Sequence, residues 1–360
     1  MVNLSFFRGK KILITGHTGF KGSWLSYILV NAGANVIGVS LEPQGSPNLF
    51  NMLDLEDCMK SYLRDIADLD GLMEIFEKEE PEIVLHLAAQ PLVRESYQNP
   101  VWTYSTNVMG TVNILECVRL SKSVKSFLNV TTDKVYKNKE WEWGYRENEE
   151  LCGYDPYSNS KSCSELVTYS YLNSFFKDSD IAISTARAGN VIGGGDFAAD
   201  RIVPDCFRAC VRKEDIVVRN PHSIRPYQHV LEPLMAYLAI VEKQWEDKAK
   251  AGNYNIGPDE IDCIPTGKLV TLFCKSWEKY SGQKASWECK SDDGPHEANF
   301  LKLDCSKFKL HFQWTPVWHI EKAIEKSVEW YQVYASGNDI KEIMDKQLKE
   351  YLEGSREDKK

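Results

Sequence analysis

Short apolar runs alternate with longer amphipathic stretches along the first half of the chain. The runs have the length and composition of strands that are buried on both faces of a parallel sheet, and they lie at 11–15, 35–39, 82–87, 126–130 and 181–186. The stretches between them carry apolar residues at helical spacing and lie at 22–32, 68–80, 103–121 and 157–176. Strands that alternate with helices in this way predict an α/β fold with a Rossmann-like, doubly wound parallel sheet.

The pattern weakens after about residue 188, where Gly193-Gly-Gly195 and several prolines interrupt it. We expect the second half to form a smaller, more irregular C-terminal lobe that binds the substrate, with helices at 266–281 and 320–335. The expected division assigns residues 1–187 and roughly 228–262 to the sheet domain, and 188–227 and 263–340 to the lobe. The charged stretch 341–360 is expected to be a solvated or frayed tail.

Charge and composition argue against several classes of function. The chain of 360 residues contains 43 Lys and Arg against 52 Asp and Glu, a formal net charge of −9. An acidic chain is a poor partner for a nucleic-acid backbone, which requires a basic face. Ten cysteines without a CxxC pair argue against a zinc site or a disulfide framework, so we expect reduced thiols and no metal.

The N-terminal stretch has neither the pattern of a signal peptide nor that of a membrane span. Lys10 and Lys11 precede an apolar run that soon reaches Gly16. We therefore expect a cytoplasmic protein without a membrane partner.

A glycine-rich loop lies between the first predicted strand and the first predicted helix, with Gly16, Gly19 and Gly22 in a GxxGxxG spacing. Glycines allow the tight turn and let the backbone approach a pyrophosphate, and the helix N-terminus offers free N–H groups. A glycine triplet alone is a weak signal, but a strand and a helix that flank it make a dinucleotide site the better interpretation than a packing turn.

The residue that contacts the ribose hydroxyls is expected about 20 residues after the loop. Ser40 occupies this position, Glu42 follows two residues later, and neither Arg nor Lys comes next to receive a 2′-phosphate. NAD is therefore favoured over NADP. Asp65 is a candidate for an adenine contact and equally for a turn residue.

Tyr157 and Lys161 are spaced i and i+4, so they share one face of a helix. A neighbouring ammonium is expected to lower the pKa of the phenol from about 10, which makes it a usable base near neutral pH. The lysine is also placed to hold the ribose of the nicotinamide. This spacing often occurs by chance, but here it accompanies the glycine loop and the triplet Thr132-Asp133-Lys134.

The triplet follows a buried strand, at the edge where open α/β sheets bind ligands. Thr132 is placed to hydrogen-bond the substrate hydroxyl that Tyr157 deprotonates. Asp133 and Lys134 are expected beside the substrate. From the pattern alone, a turn-capping Asp133 and a solvated Lys134 are equally good interpretations.

Several strings together resemble the extended short-chain dehydrogenase/reductases: the glycine loop, His86-Leu-Ala-Ala-Gln90, Asn107-Val-Met-Gly-Thr111, Tyr157-x3-Lys161 and Arg187-Ala-Gly-Asn-Val191. Within that family, longer strings are similar to the nucleotide-sugar 4,6-dehydratases that act on CDP-glucose. They are GHTGFKGSWLS, AAQPLVRESY, YSTNVMGT, DKVYKNKEWEWGYRE, YDPYSNSK, RAGNVIGGGDFAADRIVPD and IRPYQHVLEPL, and they extend over nearly the whole chain.

The resemblance implies a lyase of deoxysugar biosynthesis for bacterial surface polysaccharide (lipopolysaccharide O-antigen). Tyr157 would deprotonate the glucose 4-hydroxyl while hydride moves from C4 to NAD; C5 then loses a proton, water leaves from C6, and the hydride returns to C6. Where the enzymes for dTDP-glucose carry Asp-Glu, this chain has Asp133-Lys134. Asp133 would be the acid at the C6 oxygen, and Lys134 the base at C5 or the group that stabilises the enolate.

The resemblance also implies which residues hold the ligands. The sheet domain would bind NAD through Tyr157, Lys161 and a larger set: Gly16, Thr18, Gly19, Phe20, Lys21, Gly22, Ser40, Asp65, Ile66, Leu87, Ala88, Ala89, Gln90 and Thr106. The lobe would bind the nucleotide sugar, with these candidates: Gln90, Asn190, Arg201, Arg219, Arg225 and His296. Arg225 is the strongest candidate for the diphosphate because a guanidinium binds two oxygens at once. A surface ion pair is the competing role for each arginine.

Two other functions compete with this hypothesis. A nucleotide-sugar 4-epimerase needs Thr132, Tyr157 and Lys161 but no acid/base pair for water loss, and a dehydratase for another nucleotide sugar would share all of these residues. A non-catalytic dinucleotide sensor would have no reason to keep all three of these side chains together. The helices at 103–121 and 157–176 carry apolar faces, which pack on the sheet and, by the resemblance, also pair across a homodimer.

Overall fold

A computed structural model describes residues 2–290 and 300–357 of the chain. Its strands, numbered along the chain, are β1 Lys11–Thr15, β2 Asn35–Ser40, β3 Lys60–Leu63, β4 Ile83–His86, β5 Ser126–Thr132, β6 Ala182–Ala188, β7 Val191–Ile192, β8 Ile216–Val218, β9 Ile224–Pro226, β10 Gln228–His229, β11 Asn253–Ile256, β12 Cys263–Pro265 and β13 Trp287–Cys289.

The helices are α1 Phe20–Asn31, α2 Leu49–Met52, α3 Leu69–Glu79, α4 Val93–Gln98, α5 Pro100–Tyr104, α6 Gly110–Leu120, α7 Pro156–Tyr171, α8 Ile202–Arg212, α9 Leu231–Glu246, α10 Thr266–Ser281, α11 Ser306–Phe312, α12 Ile320–Ala335 and α13 Ile340–Glu357. A π-helical segment, Ser105–Met109, joins α5 to α6, and another, Leu172–Phe176, continues α7. None of the helices in the described ranges combines the length and the apolar character that crossing a bilayer requires.

Seven parallel strands form the central sheet in the order β11-β6-β5-β4-β1-β2-β3. The chain moves outward from β1 to β2 and β3, and then crosses to the other side of β1 to form β4. The connections that follow β1 and β4 therefore diverge and open a crevice at the carboxyl edge of the sheet, which is where such folds bind ligands. The predicted doubly wound fold is confirmed.

Both faces of the sheet are covered, which explains the continuous apolar runs. Successive side chains of a strand point to opposite faces. Ile12 and Ile14 accordingly pack into the core that contains α1 and α9, while Leu13 packs into the core that contains α3 and α6. All three side chains are fully buried.

Two strands of the sheet, β3 and β11, have no counterpart among the predicted strands. Both lie at sheet edges, and their sequences, Lys-Ser-Tyr-Leu and Asn-Tyr-Asn-Ile, are short and half polar. Such segments become strands because a neighbouring strand offers hydrogen bonds, not because of their own pattern. Strands β5 and β6 also run two residues beyond their predicted ends, so Thr132 is the last residue of β5.

The second half forms the predicted smaller lobe. It contains three two-stranded pairs, β7 with β10, β9 with β12 and β8 with β13, together with α8 and α10. An aromatic cluster packs α8 against α10 and α12: Phe207 stacks on Tyr331 at 4.5 Å between ring centroids, and Trp277 lies edge-on to Phe207 at 6.1 Å.

The prediction of a solvated or frayed C-terminal tail is wrong for the residues up to 357, which belong to α13. Met344, Gln347 and Tyr351 are buried on one face of this helix. The Tyr351 hydroxyl donates to Oε2 of Glu232 on α9 at 2.8 Å. The sequence pattern does not reveal this buried face, because α13 has few apolar positions among many charged residues.

Glu232 joins three segments from a buried position. Besides the Tyr351 hydroxyl, it accepts hydrogen bonds from the backbone N–H groups of Val317 (2.9 Å) and Trp318 (2.8 Å). Burial raises the pKa of Glu232 from 4.5 to about 7, although these hydrogen bonds oppose the shift. The folded protein therefore holds this proton more tightly than the unfolded chain does.

We expect this carboxyl to make the folded protein less stable as pH rises. Its contribution is fully present below pH 4.5 and is lost as pH passes through about 7, with a total of about 3 kcal/mol for a shift of this size. Denaturant unfolding at several pH values should give a flatter pH dependence for Glu232→Gln than for the wild type. Parallel profiles would show that Glu232 does not carry this proton.

Candidate active site

The glycine loop brings two backbone segments unusually close together. Gly16 has a φ of +77°, and a Cβ at this position would lie 2.9 Å from the backbone of Ala88, beyond β4. A Cβ at Gly22, in the first turn of α1, would lie 2.0 Å from the Gly16 carbonyl oxygen. The helix begins at Gly19 without a side-chain cap, so its first N–H groups are open to a ligand. This cradle fits a dinucleotide, whose pyrophosphate needs a close approach to the backbone.

The far end of the cradle carries hydroxyl groups in place of an acid. Thr18 donates to the Leu41 carbonyl oxygen at 3.0 Å, so Ser40, at 2.8 Å, is the donor to Thr18. Asp65 accepts a hydrogen bond from Ala67 N at 2.9 Å, which is the geometry of a turn residue. The structure therefore shows Asp65 as a turn residue, which is one of the two interpretations given for it.

The remaining predicted cofactor contacts near this end differ in exposure. Ile66 is buried and lies against Gly110, where an added Cβ would come within 2.4 Å of its Cδ1. Phe20 and Thr106 are half-buried, Phe20 at the start of α1 and Thr106 in the π-helical segment that joins α5 to α6.

The segment after β4 is held by buried polar side chains. Thr15 accepts from the N–H groups of Leu87 and Ala88, both at 3.1 Å, and lies 2.7 Å from Nδ1 of His86. Burial lowers the pKa of His86 to about 3, so this ring is neutral. These contacts fix the wall of the cradle opposite Gly16, and the half-buried Ala89 continues it.

The side chain of Gln90 is hydrogen-bonded within the protein, whereas the resemblance implies that it contacts the cofactor and the substrate. Its amide donates to Thr103 Oγ1 at 2.9 Å and accepts from Leu92 N at 2.5 Å. Its backbone N–H donates to Asn107 Oδ1 at 2.8 Å. The side chain therefore shapes the loop after β4.

The predicted catalytic pair lies on the first two turns of α7. Asp155 caps the helix by accepting from Ser158 N at 2.9 Å, and Pro156 occupies the first turn. Tyr157 and Lys161 are both buried, and Lys161 Nζ donates to the Val130 carbonyl oxygen of β5 at 3.1 Å. The cap and this hydrogen bond set the position of the pair relative to the sheet.

The expected lowering of the tyrosine pKa is wrong for the protein without ligands. Burial raises the pKa of Tyr157 to about 12, against the opposing effects of the Thr132 hydroxyl and the Arg201 guanidinium. Burial also lowers the pKa of Lys161 to about 8. Removal from water is therefore the largest effect on the pKa of Tyr157, larger than the opposing effects of Thr132 and Arg201.

The turn after β5 places Asp133 in the same site. Thr132 donates to Asp133 Oδ1 at 3.0 Å, while Oδ2 is buried and has no hydrogen-bond partner in the described part of the chain. A Cβ at Gly189 would lie 2.8 Å from Oδ2, so this glycine makes room for the carboxyl. Burial raises the pKa of Asp133, although the neighbouring Lys134 ammonium opposes this. Lys134 is half-buried and forms no ion pair within residues 2–290 and 300–357.

The predicted substrate arginines separate into two groups. Arg225 is buried on β9 and close enough to Asp133 to lower the pKa of its carboxyl. Arg201 pairs with Asp196 at 3.3 Å, and its charge acts to lower the pKa of Tyr157. Both therefore lie at the catalytic centre.

Arg219 and the other predicted substrate residues lie differently. Arg219 forms an ion pair with the exposed Asp200 at 3.1 Å. Asn190 is half-buried beside β7, and its carbonyl oxygen accepts from Gln228 N at 3.0 Å. His296 and the neighbouring Glu297 lie outside the described residues.

The structure adds a tyrosine that the sequence does not suggest. Lys21 Nζ lies 5.9 Å from the ring centroid of Tyr237, whose hydroxyl is buried without a hydrogen-bond partner among the described residues. Burial, Lys161 and Arg201 lower the pKa of Lys21 to about 7. Tyr237 belongs to the apolar helix α9, where the sequence pattern indicates an ordinary core residue. Only the packing shows that its ring lies near Lys21.

Comparison with known sequences gives a consistent set of relatives. The family model described as GDP-mannose 4,6 dehydratase matches residues 13–327. A protein of Salmonella typhimurium named CDP-glucose 4,6-dehydratase is 44% identical over 98% of this chain and 99% of its own length. A dTDP-glucose 4,6-dehydratase of Haemophilus influenzae is 25% identical over 91% of this chain and 99% of its own.

Solved structures share the fold at lower identity. A dTDP-glucose 4,6-dehydratase of Bacillus anthracis in complex with NAD superposes with a TM-score of 0.75 at 20% identity, over 91% of this chain and 98% of the other. A UDP-glucose 4-epimerase of Thermotoga maritima with UDP-glucose gives 0.76 at 24% identity, over 90% and 99%. One fold thus carries both kinds of enzyme, and the site has to distinguish them.

The cradle predicts a selective effect of an added methyl group. Gly16→Ala should lose NAD+ binding by at least about tenfold, because the methyl group would force apart the Gly16 and Ala88 backbones. Gly9→Ala is the matched control, since Gly9 has a φ of +74° but open space around it. Gly9→Ala should lose about 1 kcal/mol of stability from its positive φ, and Gly16→Ala should lose more because its methyl group also meets the Ala88 backbone. Calorimetric titration with NAD+ and thermal melts separate the two effects; equal NAD+ affinities of the two variants would contradict the assignment.

Proposed function

This chain belongs to the GDP-mannose 4,6 dehydratase family, and from that premise we propose that it is a hydro-lyase that converts CDP-glucose to CDP-4-keto-6-deoxyglucose and water. The observation that carries the proposal is Oδ2 of Asp133, which is buried, close enough to affect Tyr157, and without a partner among the described residues. An epimerase has no use for a buried acid at this position, whereas loss of a hydroxyl group requires one. The choice of CDP-glucose is supported by the Salmonella relative's name.

NAD is the proposed cofactor. The cradle of Gly16, Gly22 and Ala88 fits a dinucleotide, and the hydroxyl of Ser40 suits ribose hydroxyls better than a phosphate. Bound NAD+ supplies the acceptor for the C4 hydride and, once reduced, the donor of the hydride to C6. Lys161 is placed to hold the nicotinamide ribose, and Phe20 and Lys21 lie at the start of the helix that faces the pyrophosphate.

Oxidation at C4 is assigned to Tyr157 with Thr132. Tyr157 takes the proton of the 4-hydroxyl as the C4–H bond gives up its hydride, and a ketone forms at C4. Thr132 holds the same hydroxyl. Burial raises the pKa of Tyr157 to about 12, and the Arg201 guanidinium opposes this rise and would stabilise the phenolate.

Elimination is assigned to Asp133 and Lys134. The ketone acidifies C5, Lys134 removes the C5 proton or stabilises the resulting enolate, and Asp133 gives a proton to the C6 oxygen, which leaves as water. The C5–C6 double bond that forms then receives the hydride at C6 and a proton at C5. A raised pKa keeps Asp133 protonated to higher pH than an ordinary carboxyl, as this acid role requires.

The lobe is proposed to bind the nucleotide diphosphate. Arg225 and Arg201, whose charges act on Asp133 and Tyr157, are the preferred phosphate ligands, and Asn190 is a further candidate. Arg219, paired with Asp200, is a candidate for the more distant nucleotide. His296 remains a candidate to close the site. The proposed sheet domain comprises residues 1–187 and roughly 228–262, and the proposed lobe comprises 188–227 and 263–340.

A homodimer is the proposed assembly, formed by the faces of α5–α6 and α7. Large apolar side chains are exposed on these helices, including Val101 (82%) and Tyr169 (63%). Trp102, Met109 and Leu166 add to the same faces. The enzyme is further proposed to act in the cytoplasm, in deoxysugar synthesis for bacterial surface polysaccharide.

The proposed reaction is tested by incubation with CDP-, dTDP-, UDP- and GDP-glucose in the presence of NAD+, with products read by mass. We expect loss of one water from CDP-glucose alone, without net accumulation of NADH. A product of unchanged mass would indicate the 4-epimerase. Water loss from another nucleotide sugar would retain the chemistry and change the substrate.

Lys134→Ala should separate oxidation from elimination. Exchange of the C5 hydrogen with solvent deuterium should fall by about 10²-fold or more, the range for loss of a general base, while hydride transfer from C4 continues. Lys137→Ala is the matched control, because Lys137 is an exposed lysine of the same segment, paired with Glu150. Normal C5 exchange in Lys134→Ala would remove this residue from the mechanism.

A further inference from the structure

The turn that carries Asp133 and Lys134 is tied to the catalytic helix at its far end. Ser162, the residue after Lys161 on α7, donates through Oγ to the Val135 carbonyl oxygen at 2.7 Å. The same Oγ accepts from Gly153 N at 2.9 Å. Tyr136 follows Val135, and its side chain contacts residues of the central sheet.

Tyr136 is buried between two side chains that use both functions of its hydroxyl. The hydroxyl donates to Asn255 Oδ1 at 2.6 Å and accepts from Arg187 Nη1 at 2.8 Å. The guanidinium of Arg187 also lies 5.2 Å from the centre of the tyrosine ring. Tyr136 is thus held by its hydroxyl and by its ring.

Arg187 carries this connection back to the catalytic helix. Its Nη2 donates to Glu165 Oε2 at 2.8 Å, and both side chains are 1% exposed. Glu165 lies one turn beyond Lys161 on α7. It also accepts from Thr131 at 2.5 Å and Thr185 at 2.8 Å, which belong to β5 and β6.

Asn255 carries the connection in the other direction, to the long loop at 137–150. Its amide donates to the Tyr145 carbonyl oxygen at 2.7 Å and to that of Asp304 at 3.1 Å. Tyr145 stacks on Tyr136 with ring centroids 5.3 Å apart. One buried chain of hydrogen bonds therefore runs from the helix of Lys161 to the loop that follows Lys134.

We propose that Tyr136 is a positioning residue for elimination, which sets the place of Lys134 relative to Tyr157 and Lys161 through Arg187 and Asn255. This proposal rests on the proposed dehydratase function. In this buried polar chain, Nε of Arg187 alone lacks a partner among the described residues, and the other hydrogen bonds restrict the members of the chain to few arrangements. Tyr157 and Lys161 do not depend on the Tyr136 hydroxyl, because the Asp155 cap and the Val130 carbonyl position them. The position of Lys134 follows from the turn that Tyr136 anchors.

Tyr136→Phe should therefore affect one half of the reaction. We expect C5 exchange and water loss to slow by about 10- to 100-fold, the range for a misplaced catalytic group. Hydride transfer from C4 should stay within about twofold, so enzyme-bound NADH should accumulate transiently during a single turnover. KM for CDP-glucose should change little, because the tyrosine does not contact the substrate.

Tyr145→Phe is the matched control. Tyr145 is equally buried in the same aromatic stack, but within residues 2–290 and 300–357 its hydroxyl bonds only to the loop, at Lys139 N (2.5 Å) and Asn138 Oδ1 (3.0 Å). It should retain both half-reactions. Ser162→Ala removes the other tie of the turn and should shift the balance in the same direction as Tyr136→Phe, which keeps the test valid if one variant folds poorly in thermal melts.

The possible outcomes are distinct. Slower elimination with intact oxidation in Tyr136→Phe or Ser162→Ala, but not in Tyr145→Phe, supports the proposal. Equal slowing of both half-reactions, or no slowing of either, overturns it. Failure of the wild type to release water from CDP-glucose would instead refute the proposed function on which it rests.

Discussion

At the carboxyl edge of the central sheet, Tyr157, Lys161 and Asp133 are withheld from water, and their protonation follows from that burial. Removal from water raises the pKa of Tyr157 and Asp133 and lowers that of Lys161, so each group is displaced toward its neutral form. A raised pKa suits Asp133 for the acid role proposed for it, whereas the raised pKa of Tyr157 works against a role as base, and the Arg201 guanidinium opposes that rise. The crevice opened by the strand order provides the burial, and the diverging connections after β1 and β4 provide access to it.

Burying charge in a protein core is costly unless the polar groups find partners. The ion pair of Arg187 and Glu165 meets this condition in large part, because Tyr136, Thr131 and Thr185 supply further hydrogen bonds, while Nε of Arg187 has no partner in the described part of the chain. The consequence is rigidity at the base of α7 and of the turn after β5. Oδ2 of Asp133 stands out against this background, since it is buried, has no partner among the residues that the structure describes, and belongs to a carboxyl whose pKa burial raises.

The fold alone does not decide between epimerisation and dehydration, because structures of both kinds of enzyme superpose on this chain with similar TM-scores. The two reactions share oxidation at C4, and so they share the requirements for a dinucleotide cradle and a tyrosine–lysine pair. The proposed difference lies in the two residues after β5, Asp133 and Lys134, which would supply an acid and an amine for loss of a hydroxyl group.

The sequence by itself determined the parts that local chemistry specifies. The strands β1 and β4 are buried on both faces and therefore carry apolar runs, Ile12–Ile14 and Ile83–Leu85, the glycine loop needs residues without a Cβ, and Tyr157 and Lys161 share a helix face by spacing alone. Only the tertiary structure decided the edge strands β3 and β11, the docking of α13, the partners of Arg187 and the position of Tyr237. These depend on which distant segment supplies a hydrogen bond or covers an apolar face. The protonation of Tyr157 belongs with them, because its pKa is set by burial among residues far apart in the chain, and no local pattern records that.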